Sequence, residues 1–205
     1  QAHPLGYWKN EFPIASKIGL DCIEFILDFN DYKKNPLIYE GGVEEIKQIS
    51  KKNNVDVKTI CADYFMESPL HVKDMEQQKI NIDCFLKILI SAKELGANDI
   101  VLPCVDNSSI RENIEKDLFL GVLIELLDEI KKSGVRISLE TDLPPKEFSD
   151  LLDKIDSDCI SVNYDTGNSA SLGYDAAEEF TAYGTRISDI HIKDRIFGGG
   201  PVELG

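Results

Sequence analysis

Two carboxylates and one imidazole, those of Glu140, Asp165 and His191, each stand at the end of a short apolar run of the sequence. Such groups bind divalent metal ions in many catalytic sites. A bound cation can stabilise negative charge that develops on a substrate oxygen. The sequence therefore predicts a divalent metal site, provided that the fold brings the three residues together. The runs that precede them are residues 135–139, 160–164 and 187–190.

The three runs are predicted to be β-strands, because each is short, rich in β-branched residues and followed by loop-forming residues. Helix-like segments lie between them, at residues 146–154 and 175–183. Alternating strands and helices are typical of a parallel sheet, in which the chemistry lies at the carboxyl ends of the strands. We therefore expect the two acids and the histidine to meet at one edge of the sheet.

Three further strand–helix units are predicted earlier in the chain. The strands are expected at residues 22–27, 55–61 and 99–103. The first helix is expected at residues 43–53, and the second is a long helix that ends at about Leu95. The third is expected to run from a capping box at Ser109–Glu112 to Ile130. Residues 1–9 are expected to form a loop with an exposed Trp8, followed by a helix that Asn10 caps and Gly19 ends.

The six units favour a (β/α)8 TIM barrel over a doubly wound sheet. A doubly wound nucleotide fold would need a Gly-rich turn after an early strand, whereas Leu27 is followed by Asp-Phe-Asn-Asp. The chain starts in a predicted loop with no strand before it, and it ends in a Gly-rich loop. We therefore expect one α/β barrel domain, residues 1–205, that lacks its first strand and its last βα unit.

Composition narrows the class of protein. Of 205 residues, 42% are hydrophobic and 29% charged, which indicates a globular chain. The net charge of -15 would repel a phosphodiester backbone, so nucleic acid is not expected as a partner. Five scattered cysteines without a Cys-x-x-Cys pair indicate free thiols in a reducing cytoplasm. No apolar run approaches the roughly 18 residues of a membrane span.

Four segments resemble the xylose-isomerase-like superfamily of sugar phosphate isomerases and epimerases. They are Ser-Leu-Glu140-Thr-Asp, Asn-Tyr-Asp165-Thr-Gly-Asn168, Asp-Ile-His191-Ile-Lys193-Asp194 and the tail Gly198–Gly205. The resemblance implies a TIM barrel that holds Mn²⁺, Mg²⁺, Co²⁺ or Zn²⁺ with Glu140, Asp165 and His191 as ligands. It also implies a fourth ligand, a glutamate that would lie beyond Gly205. In the ketose 3-epimerase branch the two metal-bound glutamates are the acid/base pair, which makes Glu140 the catalytic residue of this segment.

The resemblance implies an enzyme that removes a proton next to a carbonyl group of a small sugar or sugar phosphate, through an enediolate. Two alternatives stay open: a lyase or dehydratase of inosose or dehydroshikimate type, and a carbohydrate-binding barrel without activity. Endonuclease IV is disfavoured, since it needs many histidines and this chain has three. A homo-oligomer is also left open.

Several residues near the predicted metal site are expected to bind the substrate. Lys193 follows His191 by two positions and would share its strand face. Lys193 or Arg195, beside Gly198–Gly200, could hold an anionic group. Asn168 stands where the ketose 3-epimerase branch tends to have a histidine. Glu24, at the end of the first predicted strand, could bind sugar hydroxyls, and Trp8 could form a wall of the pocket.

Overall fold

A curled sheet of parallel strands forms the centre of the molecule. The computed structural model describes residues 6–205, which place six strands in the order β1-β2-β3-β4-β5-β6. Each strand pairs in parallel with the next one along the chain, and helices make the crossovers that parallel pairing requires. This arrangement confirms the predicted α/β fold, a curled half-barrel of TIM type. The strands are β1 Cys22–Ile26, β2 Asp56–Cys61, β3 Asp99–Cys104, β4 Arg136–Thr141, β5 Ile160–Asp165 and β6 Ile187–His191.

The described residues also form eight α-helices and a small antiparallel hairpin. Gly96 and Gly134 end the two longest helices with φ angles of 74° and 76°, a left-handed conformation that favours glycine. Within residues 6–205, none of the helices is long and apolar enough to cross a membrane. The helices are α1 Trp8–Ile18, α2 Gly42–Asn53, α3 Tyr64–Glu67, α4 Met75–Leu95, α5 Asn113–Ser133, α6 Pro145–Ile155, α7 Thr166–Leu172 and α8 Ala176–Tyr183, and the hairpin strands are β7 Asp194–Arg195 and β8 Pro201–Val202.

The first helix differs from its prediction. Helix α1 begins at Trp8, before Asn10, and the Trp8 side chain is only 6% exposed. Its ring packs edge-on against Phe12 and Phe25, at centroid distances of 6.3 and 5.6 Å. The prediction of an exposed Trp8 in a loop is therefore wrong, because burial of its large apolar ring outweighs the capping preference of Asn10. Residues 6 and 7 of the predicted loop form a turn, Lys9 is helical, and residues 1–5 lie outside the described residues.

The start of α5 also differs from the prediction. The helix begins at Asn113, and the backbone N–H of Glu112 donates to Oε2 of Glu115 at 3.2 Å. Ser109, which the sequence places in a capping box, instead donates its hydroxyl to Oδ1 of Asp142 at 2.8 Å. A tertiary hydrogen bond to a buried carboxylate thus replaces the local cap. Helix α7, directly after β5, was not predicted.

The strands place apolar and polar side chains on opposite faces of the sheet. In β4, Ile137 and Leu139 are fully buried with the helices in the hydrophobic core. Ser138 and Glu140 alternate with them and face the inside of the curl, where they contact residues of β5 and β6. The inside of the half-barrel is therefore polar, and its carboxyl end carries the candidate site.

A hydrogen-bonded cluster fills the opposite, amino end of the curl. Asp99 of β3 accepts two hydrogen bonds from the Arg136 guanidinium, each at 2.9 Å. Its Oδ1 atom also accepts the hydroxyls of Ser138 and Ser188, at 2.9 and 2.8 Å. Because these residues belong to β3, β4 and β6, the cluster ties three strands together below the site.

Candidate metal centre

The side chains of Glu140, Asp165 and His191 converge at the carboxyl ends of β4, β5 and β6. One ligand atom from each residue lies within 4.8 Å of the other two. Nδ1 of His191 is 3.5 Å from Oε2 of Glu140 and 3.9 Å from Oδ2 of Asp165. Two ligands with bonds of about 2.0–2.3 Å to one cation are at most about 4.6 Å apart. The spacing and the donor set therefore fit a divalent cation.

The sequence Asp165-Thr166-Gly167-Asn168 builds one side of this centre. Oδ1 of Asp165 caps α7 by accepting the backbone N–H of Asn168 at 2.8 Å, which leaves Oδ2 facing the cluster. The Thr166 hydroxyl donates to the carbonyl of Lys193 at 3.1 Å and accepts its N–H at 3.2 Å. A Cβ atom on Gly167 would lie 2.7 Å from that same carbonyl oxygen. The motif thus fixes the acid and holds the segment after His191 against α7.

Two amide side chains hold the carboxylate of Glu140. Nδ2 of Asn163 donates to Oε2 at 2.7 Å, and Nδ2 of Asn168 donates to Oε1. Both amides come from β5 and its following helix, and all three side chains are buried. Hydrogen bonds to both oxygens fix the orientation of the carboxylate. Glu140 is therefore directed at the same space as Asp165.

The imidazole of His191 lies between two groups of acids. Its Nδ1 faces Glu140 and Asp165, whereas Nε2 lies 2.9 Å from Oε1 of Glu24. Glu24, Asp189 and His191 form a second set of close ligand atoms. Burial lowers the pKa of His191, but hydrogen bonds and charge interactions with Glu140 and Glu24 outweigh it and raise the pKa to about 10. Without a metal ion, the ring is held as a cation by the surrounding carboxylates.

Several buried polar atoms of the centre lack a well-aligned hydrogen-bond partner within residues 6–205. They are Oδ2 of Asp165, Nε2 of His191, Oδ1 of Asn163 and Oδ2 of Asp189. Two of these atoms have charged neighbours, since Glu24 lies 2.9 Å from Nε2 of His191 and Lys193 lies 2.5 Å from Oδ2 of Asp165. Buried polar atoms are normally paired in native proteins, so the other two, on Asn163 and Asp189, point to a missing ligand or water. This observation, together with the spacing, supports a bound cation.

Lys193 and Arg195 lie beside the centre but outside the strand. Strand β6 ends at His191, so the predicted strand alternation does not extend to Lys193. Its Nζ atom nevertheless lies 2.5 Å from Oδ2 of Asp165. Arg195 donates from Nη1 to Oδ1 of Asn168 at 2.6 Å. Both cations therefore contact residues of the centre.

Glu24 and Trp8 differ in their relation to the centre. The side chain of Glu24 is 25% exposed, and its Oε1 lies 2.9 Å from Nε2 of His191, so Glu24 contacts the imidazole of the centre. Trp8 is buried between Phe12 and Phe25 in the core, where its ring is covered by protein. The structure thus gathers Glu140, Asp165, His191, Asn168, Lys193, Arg195 and Glu24, and leaves Trp8 apart.

Sequence reasoning missed two residues of the centre, Asn163 and Asp189. Asn163 precedes Asp165 by two positions and lies 3.1 Å from Nδ1 of His191. Asp189 precedes His191 by two positions. Side chains two positions apart on a strand share a face. The rule that was applied to the residue two positions after His191 would have found both residues if it had also been applied to the positions two before each predicted ligand.

The family of the chain is identified by a family model that matches most of its sequence. Residues 12–202 match the model of the xylose isomerase-like TIM barrel family. No curated protein matches the chain at a significant level. Among solved structures, a 3-keto-D-glucoside 4-epimerase from E. coli superposes with a TM-score of 0.74 at 16% identity, over 95% of this chain and 76% of that one.

Two further solved structures share this fold. An IOLI protein with a bound zinc atom superposes with a TM-score of 0.73 at 20% identity, over 94% of this chain and 69% of the other. A probable 3-DHS dehydratase from Bacillus anthracis gives 0.70 at 16% identity, over 96% and 71%. Identities this low establish the fold alone, whereas the family model spans nearly the whole sequence. The chain therefore belongs to the xylose isomerase-like TIM barrel family.

Proposed function

We propose that the protein is a divalent-metal-dependent isomerase or epimerase of a small sugar or sugar phosphate. The observation that carries the proposal is the convergence of Glu140, Asp165 and His191 within 4.8 Å at the carboxyl end of a parallel sheet. Active sites of TIM barrels lie at this end. Similarity to an epimerase structure and to a zinc-bound structure supports the same class.

The residues of the centre have distinct tasks in this proposal. Glu140, Asp165 and Nδ1 of His191 would hold the cation, whose contribution when bound is to stabilise negative charge on the substrate's oxygens. Glu140 would also move the proton at the carbon next to the carbonyl, because Asn163 and Asn168 hold its carboxylate in a fixed orientation. Glu24 would keep the ring of His191 in place through Nε2.

A dehydratase is the second candidate, supported by the likeness to a probable 3-DHS dehydratase. Both reactions begin when a base removes a proton next to a carbonyl group. They differ in the next step: the proton returns to carbon in an epimerase or isomerase, and hydroxide leaves in a dehydratase. Activity on ketoses or on inososes therefore separates the two candidates.

Solvent exchange tests the shared first step. The chain is incubated in D2O with Mn²⁺ or Zn²⁺ and a panel of ketoses, sugar phosphates and inososes, and deuterium at the carbon next to the carbonyl is followed by NMR. We expect incorporation with at least one substrate and its loss in Glu140→Gln. Glu129→Gln, which changes an exposed acid paired with Lys132, should exchange like the unaltered chain. Tight sugar binding without exchange would instead favour a carbohydrate-binding barrel.

A further inference from the structure

A cavity of about 360 Å³ opens beside the metal centre, between the loop after β3 and helix α7. Its polar lining includes two arginines, Arg111 and Arg195, and the amide of Asn168. Asn168 also donates to Glu140, so one side chain separates the cavity from the centre. A substrate that reacts at the centre could therefore extend into this cavity.

Arg195 is a half-buried cation whose hydrogen bonds all go to neutral acceptors. Its Nη1 donates to Oδ1 of Asn168 at 2.6 Å, and its Nε donates to the carbonyl of Gly199 at 3.1 Å. Among residues 6–205, no carboxylate forms an ion pair with it, although acids outnumber bases in the chain by 37 to 22. Partly buried charges are normally paired, so this guanidinium lacks a counter-ion that the site could receive.

Arg111, the second arginine of the cavity, uses only part of the hydrogen-bonding capacity of its guanidinium group. Nη2 of Arg111 lies 3.1 Å from Oδ2 of Asp142, and its side chain is 56% exposed. The other oxygen of Asp142 accepts the hydroxyl of Ser109. One contact leaves most of the five N–H donors of a guanidinium available. Asp106, the other acid of the lining, is exposed at the rim, where solvent screens its charge.

We infer that this cavity binds an oxyanion group of the substrate, a phosphate ester or a carboxylate, through Arg195 and Arg111. Guanidinium groups recognise such anions with paired, charge-assisted hydrogen bonds. The inference rests on the proposed function, since it narrows the substrate to a sugar that carries an anionic group at the end away from the reacting carbon. In a chain of net charge -15, anion binding must come from a local site and not from the overall field.

Direct binding of inorganic phosphate tests the site without any turnover. Isothermal titration of the metal-free chain, at low ionic strength, should show saturable binding at one site. We expect Arg195→Gln and Arg111→Gln each to weaken it by about tenfold or more, the loss of one charge-assisted contact. Arg186→Gln is the matched control, because Arg186 pairs with Asp153 away from this cavity. Circular dichroism and the unfolding midpoint of each variant show that it is folded.

Three outcomes would overturn the inference: no saturable phosphate binding, equal binding in all variants, or equal weakening in Arg186→Gln.

Deuterium exchange then separates this result from the proposed function. If neutral ketoses exchange and phosphate does not bind, the isomerase proposal stands and the anion site is refuted. If phosphate binds through both arginines and no sugar exchanges, the anion site stands and the isomerase proposal is refuted. Faster exchange of either a sugar phosphate or a sugar acid than of its neutral analogue supports both and identifies the anion.

Discussion

Nζ of Lys193 lies 2.5 Å from Oδ2 of Asp165, although no strand positions the lysine. The carboxylate is 1% exposed in its side chain, and Oδ2 lacks a well-aligned hydrogen bond from the described residues. The lysine therefore acts as the counter-ion of a buried acid in the metal-free chain. A divalent cation at the proposed centre would supply the same compensation and compete with the ammonium group for Asp165.

Replacing Lys193 with methionine should destabilise the metal-free chain more than the metal-loaded chain. Loss of one partner leaves a buried charge unpaired, and we expect a cost of about 2 kcal/mol without metal, reduced because the lysine is 41% exposed. With Mn²⁺ or Zn²⁺ the cost should fall below about 1 kcal/mol, since the cation pairs with Asp165. Urea unfolding with and without metal measures the difference.

Lys146→Met provides the control for this experiment. Lys146 pairs with Asp150 on the surface of α6, four residues apart, and is 83% exposed. Its removal should cost no more than about 0.5 kcal/mol, with or without metal. An equal loss of stability for Lys193→Met in both states would contradict the view that lysine and cation share Asp165.

The strand ends could be predicted from sequence because local chemistry determines them. β-Branched runs end at Glu140, Asp165 and His191, and parallel strands direct all carboxyl ends to one edge. That edge then fixes which residues meet, before any side-chain detail is known. The glycine that ends α1, Gly19, was predicted for a similar reason, since a left-handed residue after a helix has few alternatives to glycine.

Other features depend on contacts between residues far apart in the chain, which local patterns do not encode. Trp8 is helical because its ring packs on Phe25 of β1, and Ser109 bonds to Asp142 and not to its own helix. The position of Lys193 depends on Thr166 of another element. In each case a tertiary contact outweighs a local preference of smaller free energy.

Substitution of Gly167 by alanine should move the segment that carries Lys193. A Cβ atom there would lie 2.6 Å from Cγ of Lys193 and 2.7 Å from its carbonyl oxygen, closer than packed atoms allow. Because Thr166 binds the same peptide group, the segment cannot shift without losing those hydrogen bonds. We expect a loss of about 1–3 kcal/mol in unfolding free energy and weaker metal binding.

The comparison for this variant is Gly121→Ala in α5. A Cβ atom at Gly121 meets no atom within 4 Å, and alanine is the better helix former. That change should stabilise the chain by up to about 1 kcal/mol. If Gly167→Ala proves as stable as Gly121→Ala and binds metal normally, the close approach of the two segments is not required.

Metal binding should depend steeply on pH through His191. The surrounding acids raise the pKa of this ring to about 10, against about 6.5 in the unfolded chain. The stability that this group gives the metal-free protein is therefore complete below about pH 6.5 and is lost as the pH rises towards 10. A metal ligand must be the neutral ring, so binding between pH 7 and 9 should release about one proton and tighten about tenfold per pH unit.

Calorimetry in two buffers of different ionisation enthalpy counts the protons released when Zn²⁺ binds. His191→Gln should bind more weakly and release about one proton fewer. His71→Gln is the comparison, because burial lowers the pKa of His71 and that ring is neutral before metal is added. Binding that is independent of pH in the unaltered chain would exclude His191 as a ligand.

The cluster at Asp99 should make stability depend on pH in the acid range. Burial raises the pKa of Asp99, but its hydrogen bonds from Arg136, Ser188 and Ser138 outweigh that effect and lower the pKa below its ordinary value. The stabilisation is therefore present above the unfolded pKa of about 3.9 and is lost as the pH falls through the lower folded value. Asp99→Asn should cost about 2 kcal/mol at pH 7, because it leaves Arg136 without its carboxylate; the 46% exposure of the arginine reduces the cost below that of a fully buried pair.

The cost of Asp99→Asn should shrink as the pH drops below about 4, because the unfolded chain then binds a proton at Asp99 that the folded chain does not, and the folded carboxylate loses its stabilising advantage. Urea unfolding at pH 7, 5 and 3.5 follows this change. Asp150→Asn, which removes a 53% exposed acid paired with Lys146, should cost no more than about 0.5 kcal/mol at any of these values. A cost for Asp99→Asn that stays constant from pH 7 to 3.5 would mean that shape and hydrogen bonding, and not the charge, hold β3, β4 and β6 together.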